Sequence, residues 1–194
     1  MSRRIISMPE FSLITLIGVT GAGKTTFCRK RFLPSQALSS DFFRTLVADN
    51  ENSMEASSDA FETLYSVVEK RLARQLLTVI DATNIQDYAR DRILEIARRF
   101  DAPTVALVFD VPEDVLIKRT ILRADRPFGE EVVLEHLVDF RKTIQTLPEE
   151  GFDYIHVLNG VEEVNEAVVA YSPHSPMDNA LERFDKAEMI NKST

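Results

Sequence analysis

The chain contains a glycine-rich segment between a strand pattern and a helix pattern, G-V-T-G-A-G-K-T at residues 18–25. An apolar run, residues 11–17, precedes it, and residues 24–32 are predicted to form a helix. In a P-loop of the form G-x-x-x-x-G-K-T, backbone amides surround a phosphate and the helix N-terminus adds a partial positive charge. The chain has 6 glycines and three of them lie in these eight residues, which argues against a chance glycine-rich turn. The segment therefore predicts a phosphate-binding loop.

Two side chains of this loop have the chemistry that phosphate and metal binding require. Lys24 would reach the β- and γ-phosphates of a nucleotide, and the Thr25 hydroxyl would bind a magnesium ion that bridges them. The predicted nucleotide contacts of the segment are Gly18, Val19, Thr20, Gly21, Ala22, Gly23, Lys24, Thr25 and Thr26.

Apolar strand patterns alternate with helix patterns along the chain. The predicted strands are 11–17, 37–39, 76–80, 104–109 and 154–158, and the predicted helices are 24–32, 58–73, 87–99, 112–122, 130–146 and 161–170, with a helical turn at 42–46. Such alternation favours right-handed crossovers and an α/β fold in three layers around a mainly parallel sheet, and together with the P-loop it predicts a P-loop NTPase fold. Tyr88 and Leu134 are expected on buried helix faces. We expect one domain, residues 1–171, followed by a linker or tail with a marginal helix, residues 172–194.

Polar side chains follow three of the predicted strands. Asp41, Asp81 and Asn159 stand after strands whose carboxyl ends meet the P-loop at one rim of the sheet, where ligands bind in such folds. Asp81 is the expected magnesium carboxylate, directly or through water, and Asn159 an expected nucleotide contact. The alternative for Asp81 is a cap or turn residue without a metal.

Asp41 has the position of a general base. In P-loop phosphotransferases a carboxylate must orient the acceptor hydroxyl and take its proton, and Asp41 fits that requirement at the predicted rim. The alternative is that Asp41 caps the following helix, and the two roles are compatible.

Three arginines form a second constellation, Arg119, Arg123 and Arg126. Arg119 and Arg123 are four residues apart on one helix, so their guanidiniums can converge on a phosphate chain as an arginine-bearing lid. Arg126 would then contact the nucleotide. The alternative is a solvated basic face paired with Glu113, Asp114 or Asp125.

The composition limits the kind of partner. The net charge of −8 argues against a broad nucleic-acid surface, although a small basic site can still hold a few phosphates. Cys28 is the only cysteine, so intrachain disulfides and cysteine-cluster metal sites are excluded. The sequence shows neither a membrane span nor a signal peptide pattern, and a cytoplasmic protein is expected.

Across residues 10–170 the chain resembles the 5′-polynucleotide kinase module of bacterial end-healing proteins of the Pnkp family. The motifs that carry the resemblance are the P-loop, S-S-D-x-x-R at 39–44, D-A-T-N at 81–84, R-x-x-x-R-x-D-R-x-F-G at 119–129, and the strand that ends in Leu158-Asn159.

The resemblance implies the kinase-type P-loop NTPase fold and magnesium-dependent transfer of the γ-phosphate of ATP to a 5′-hydroxyl end of RNA or DNA. It also implies Asp41 as general base, Arg44 on the acceptor strand's phosphate, and Arg119 and Arg123 as catalytic contacts to the ATP phosphates alongside Lys24. The chain departs from the family because nothing in it resembles the motifs of the phosphoesterase and ligase modules. Either it is an excised module or it is a free-standing relative, and phosphatase and ligase modules supplied separately are the expected partners.

Two other functions use the same P-loop. A small-molecule kinase acting on a sugar, an antibiotic or a nucleotide-sugar would retain Asp41 but would give Arg44 no strand phosphate to contact. A nucleotide-binding switch without turnover would need only the P-loop. Chain length argues against AAA machinery, which adds a helical lid domain and a second arginine-bearing region.

Overall fold

The computed structural model describes residues 4–122 and 129–173. The strands are β1 Ile5–Pro9, β2 Leu13–Ile17, β3 Ala37–Ser39, β4 Thr78–Asp81, β5 Thr104–Asp110, β6 Tyr154–Asn159 and β7 Val168–Ser172. The helices are α1 Lys24–Arg31, α2 Ser40–Ala48, α3 Ser57–Leu72, α4 Asp87–Arg99, α5 Glu113–Ile121, α6 Glu130–Thr146 and α7 Gly160–Glu166, with a 3₁₀ turn at Leu147–Glu149.

The main sheet has five parallel strands in the order β3-β4-β2-β5-β6. The P-loop strand β2 is central, with β4 on one side and β5 on the other, so the chain reverses direction across the sheet at this strand. The carboxyl end of β2 is therefore the switch point at which open α/β sheets bind ligands. The predicted α/β architecture with a parallel sheet is confirmed.

All five residues of β2 are buried, as an unbroken apolar run in a doubly covered parallel strand should be. Buried side chains form two clusters: one packs chiefly α1, α5 and α6 against the sheet, and the other packs α2, α3 and α4. These clusters make the outer layers and hold the loops of the rim in place.

The end of the predicted kinase domain differs from the sequence prediction. The helix predicted at 161–170 ends at Glu166, and Val168–Ser172 forms β7, which pairs in parallel with β1 at the other end of the described chain. Neither β1 nor the pairing was predicted. Both strands are only five residues long and become strands through a partner more than 160 residues away, which no local pattern records.

Two side chains face the opposite way from the prediction. Tyr88 and Leu134 belong to helices with the predicted bounds, yet both are exposed. Tyr88 lies in the first turn of α4 and lines a cleft instead of the core. No helix within the described ranges is long and apolar enough to cross a membrane.

Candidate active site

The P-loop is shaped by two glycines with different roles. Gly18 packs on β5 so closely that a Cβ there would lie 3.0 Å from the Phe109 Cβ. Gly21 has a φ of 86°, and a Cβ there would lie 3.1 Å from the Leu116 carbonyl oxygen and 3.1 Å from Thr120 Oγ1. A side chain at either position would displace α5 or β5, so the loop keeps its amides open only with glycine.

Helix α1 continues from this loop with a charge pattern that suits an anion. Its first turn has no acidic residue, and its last turn carries Arg29, Lys30 and Arg31, which compensate the negative end of the helix dipole. The positive end therefore faces the loop with no carboxylate from the helix itself. This arrangement fits a nucleotide phosphate.

Lys24 is already oriented along the loop. Its side chain is only 8% exposed, and its Nζ donates to the carbonyl oxygens of Gly18, at 2.7 Å, and Val19, at 2.9 Å. These bonds hold the ammonium group at the mouth of the loop. A phosphate bound there would meet a cation whose position is set before binding.

Thr25 and Asp81 lie together, as the sequence predicted for a magnesium site. Asp81 ends β4 and is 5% exposed, and the Thr25 hydroxyl donates a hydrogen bond to it. Burial raises the pKa of Asp81, although that hydrogen bond and the charges of Lys24 and Arg29 oppose the rise. A buried carboxylate of this kind gains from a cation.

The described residues contain no group of three or more acidic, histidine or cysteine side chains that could hold a metal alone. Magnesium is commonly bound through one or two protein ligands together with substrate phosphates and water, so Thr25 and Asp81 fit it.

The β4–α4 loop supports the base of the P-loop. The Gly18 amide donates to the Thr83 carbonyl oxygen at 3.0 Å, and Asn84 Nδ2 donates to the Leu16 carbonyl oxygen at 2.7 Å. Asn84 is buried with a φ of 46°. The D-A-T-N motif is therefore bonded to the P-loop strand on both of its last two residues.

Arg90 supports that loop in turn and was missed by the sequence analysis. It is 1% exposed, bonds both carboxylate oxygens of Glu150 at 2.7 and 2.6 Å, and donates to the Asn84 carbonyl oxygen at 2.9 Å. An arginine on the second turn of an amphipathic helix looks like a solvated residue, and its partner is 60 positions away. The sequence contained no signal for this pair.

Asp41 and Arg44 form an ion pair on one face of α2. Ser39, not Asp41, occupies the N-cap position, so the capping alternative is not what the structure shows. Arg44 Nε also donates to the Glu51 carbonyl oxygen at 2.7 Å, and burial lowers the pKa of its guanidinium. The pair is held by the loop that leads to α3.

Arg119 contacts the P-loop: its Nη1 donates a hydrogen bond to the Gly21 carbonyl oxygen at 3.1 Å. Glu113, one of the acids expected to pair with it on a solvated face, bonds Arg141 at 3.0 Å instead. The two other predicted lid arginines, Arg123 and Arg126, lie outside the described residues. The arginine-bearing lid therefore stays a prediction.

The cleft at the rim has a volume of about 2300 Å³ and brings the two halves of the predicted site together. Its lining includes ten predicted site residues: Thr20, Gly21, Gly23, Lys24, Thr25, Thr26, Asp41, Arg44, Asp81 and Arg119. Asn159 lies apart from this lining. It is exposed at the end of β6, where it occupies the N-cap position of α7 and its backbone amide donates to Glu163 Oε2 at 2.8 Å.

The family model described as "AAA domain" matches residues 13–147, more than half of the chain. The chain belongs to this AAA domain family. The match covers the P-loop core through α6, and the described residues after it, β6, α7 and β7, add no helical domain of the kind that AAA machinery carries. No curated protein matches the chain significantly.

Solved structures of other proteins have the same fold as this AAA domain protein. A candidate kinase from Chloroflexus aurantiacus has a TM-score of 0.58 at 16% identity, over 96% of this chain and 100% of that one. A structure from the PezAT toxin–antitoxin system of Streptococcus pneumoniae has a TM-score of 0.59 at 16% identity, over 98% and 88% of the chains. A Pnkp1/Rnl/Hen1 complex has 23% identity but a TM-score of 0.49, over 62% of this chain and 44% of that one. At this level of identity, the first two show that the fold is shared.

Proposed function

We propose that this AAA domain protein is an ATP-dependent polynucleotide 5′-hydroxyl kinase. The observation that carries the proposal is the Asp41–Arg44 pair in the cleft that also contains Lys24 and Thr25. The carboxylate can accept the proton of a hydroxyl, while the guanidinium beside it binds the phosphate next to that hydroxyl. A 5′-hydroxyl nucleotide end carries both groups.

Each residue has a defined role in this reaction. Asp41 orients the acceptor hydroxyl and takes its proton as the γ-phosphate leaves ATP. Lys24 and Arg119 stabilise the negative charge of the transferring group from the two sides of the P-loop. Thr25 and Asp81 would hold magnesium, which supplies further positive charge to the phosphates.

Arg44 would bind the acceptor. A guanidinium has five N–H donors, more than its contacts to Asp41 and Glu51 use, so it can bind a phosphate while it stays paired. Such a charge-assisted hydrogen bond contributes about 1.5–3 kcal/mol. Because the chain has a net charge of −8, this one contact should matter more than on a basic protein.

One observation favours a small-molecule kinase as the second candidate. Both contacts of Arg44 are internal, to Asp41 and to the backbone of Glu51, so the arginine could serve only to position the base. A sugar, antibiotic or nucleotide-sugar hydroxyl would then be the acceptor.

The test compares acceptors that differ in one phosphate. Purified protein with labelled ATP and Mg²⁺ should phosphorylate a 5′-hydroxyl oligonucleotide and a nucleoside 3′-phosphate, and it should use the unphosphorylated nucleoside poorly. Arg44→Ala should raise the acceptor KM by about 10- to 100-fold and leave ATP affinity unchanged. It should also reduce the difference in KM between the nucleoside 3′-phosphate and the unphosphorylated nucleoside. Arg92→Ala, which removes an exposed arginine of the same cleft, is the matched control.

Phosphorylation of a sugar and of no nucleotide would replace the proposal with the small-molecule kinase. ATP binding without transfer to any acceptor would favour the nucleotide-binding switch. Under the leading proposal, phosphatase and ligase partners would complete the repair of the same ends.

A further inference from the structure

The acceptor half of the cleft, formed by α2, α3 and α4, presents aromatic rings from all three helices. Phe42 comes from α2, Phe61 and Tyr65 from α3, and Tyr88 from α4; we call these four residues the aromatic wall. Phe42 is 57% exposed and Tyr88 71% exposed, so neither ring is needed to fill the core. Exposed aromatic side chains grouped in a cleft mark a surface that binds something.

Three of the four rings are neighbours. The ring centroids of Phe61 and Tyr65 are 5.8 Å apart, and Tyr65 interacts electrostatically with Tyr88 and Arg92 across the gap between α3 and α4. Leu46 and Met54, both exposed, line the same cleft and extend its apolar area. Burial raises the pKa of Tyr65 to about 12, so its phenol stays neutral and adds no negative charge to the wall at physiological pH.

The wall is adjacent to the proposed base. Phe42 follows Asp41 directly in α2, and both residues line the cleft. An acceptor hydroxyl held by Asp41 therefore has the rest of its molecule in reach of the rings. The wall would contact the part of the acceptor that carries no phosphate.

Among the described residues, the charges of the cleft provide no long phosphate track. Its lining has six basic and five acidic side chains: Lys24, Arg29, Lys30, Arg44, Arg92 and Arg119, against Asp41, Glu51, Glu62, Glu69 and Asp81. On the acceptor side Arg44 pairs with Asp41, and Arg92 pairs with Glu95 at 3.2 Å. Neutralising several backbone phosphates requires an excess of basic groups, which this half of the cleft does not have. Beyond the Arg44 contact, affinity for a nucleotide end should then come largely from its base.

We propose that the aromatic wall stacks the base of the 5′-terminal nucleotide and so makes the enzyme select acceptors that carry a base beside the reacting hydroxyl. This inference rests on the proposed polynucleotide kinase function. Every nucleobase has a π-face, so stacking would be tolerant of sequence, and it contributes about 1–3 kcal/mol per base in alanine substitutions. Tyr88 and Phe42 are the specificity-determining residues because their rings are the most exposed of the four.

The experiment uses two 5′-hydroxyl oligonucleotides that are identical except that one has an abasic 5′-terminal nucleotide. Both keep the phosphate that Arg44 would bind. Wild-type protein should show an acceptor KM about 10-fold lower for the base-bearing oligonucleotide. Tyr88→Ala should raise the KM for that oligonucleotide about 10-fold and leave the KM for the abasic one, the KM for ATP and the melting temperature unchanged.

Three controls separate stacking from other effects. Tyr88→Phe should behave as wild type because the ring is kept. Tyr171→Ala removes a half-exposed tyrosine of β7 that lies outside the cleft, and should change nothing. A 5′-terminal 2-aminopurine should lose fluorescence on binding to wild-type protein and retain more of it with Tyr88→Ala, a readout that does not need turnover.

The outcomes distinguish the inference from the function on which it rests. Equal KM values for the two oligonucleotides, with no effect of Tyr88→Ala or Phe42→Ala, would overturn the stacking inference and leave the kinase assignment in place. Transfer to neither oligonucleotide would overturn both.

Discussion

The cleft has a P-loop half, which contains Lys24 and Thr25, and an acceptor half, which contains Arg44 and the aromatic wall. The side chains of the two halves are held in different ways. In the P-loop half, Lys24 is buried and bonds to carbonyl oxygens only five and six residues away. In the acceptor half, Phe42 and Tyr88 are exposed, lie 46 positions apart in the sequence and come from two different helices. The phosphate chemistry thus depends on a rigid local segment, whereas acceptor choice depends on exposed side chains. Substitutions in the P-loop half should impair the chemistry for every acceptor, and those in the acceptor half should change only acceptor binding.

The largest effect is expected from Lys24→Ala. Loss of a preorganised charge on the transferring group should lower phosphate transfer at least about 100-fold with every acceptor, while circular dichroism shows an intact fold. Lys142→Ala, on the exposed face of α6, is the control and should retain full activity. Activity above a few per cent of wild type in the Lys24 variant would contradict the P-loop assignment.

Asp41→Asn lies at the boundary between the two halves and should lower kcat about 100-fold, with ATP affinity unchanged, as expected for a lost general base. Asp59→Asn is the matched control, because it also removes an acid from the first turn of an exposed helix. If Asp41→Asn lowers the melting temperature as Asp59→Asn does and leaves kcat intact, the carboxylate serves the helix and not the reaction.

Gly21→Ala and Gly151→Ala should separate backbone strain from crowding in the P-loop half. Both glycines have positive φ, but a Cβ at Gly21 would meet α5 at 3.1 Å, whereas a Cβ at Gly151 meets nothing within 4 Å. Gly151→Ala should therefore cost about 1–2 kcal/mol of unfolding free energy, the strain alone. Gly21→Ala should cost more and weaken ATP binding about 10-fold, measured by denaturant titration and calorimetry. Equal effects of the two substitutions would show that α5 does not pack on the loop.

Of these substitutions, Asp81→Asn should have the smallest effect on stability, and it should stabilise the fold where the glycine substitutions destabilise it. Burial raises the pKa of Asp81, so the folded protein disfavours the carboxylate. This penalty is absent well below the ordinary pKa of 3.8 and develops as the pH rises through the folded pKa. At pH 7 without metal, Asp81→Asn should melt at a higher temperature than wild type, by about 2–4 °C for each kcal/mol gained, and the difference should vanish near pH 3.

With magnesium and ATP bound, the wild type should melt at a higher temperature than Asp81→Asn. The magnesium ion would compensate the charge of Asp81, which only the wild type carries. Melting curves with and without Mg²⁺ and ATP check this. A variant that melts below wild type without ligands would show that Asp81 stabilises the fold through its hydrogen bond to Thr25.

The sequence by itself determined the local parts of this protein. The order of the main-sheet strands along the chain, the bounds of α1, α4 and α6 within a residue, and the P-loop at the end of β2 all follow from patterns shorter than about twenty residues. The placement of Asp41 and Asp81 at the rim also followed, because the carboxyl ends of parallel strands must meet.

Only the tertiary structure decided the long-range parts. The β1–β7 pairing, the Arg90–Glu150 bonds beneath the D-A-T-N loop, and the outward direction of Tyr88 each join or orient segments that are far apart in the chain. Tyr88 matches a buried helix position by spacing alone, and it faces the cleft because α3 and α4 leave space between them there. Such outcomes depend on which surfaces the folded chain brings together, since helical and strand periodicity specify only which residues share a face.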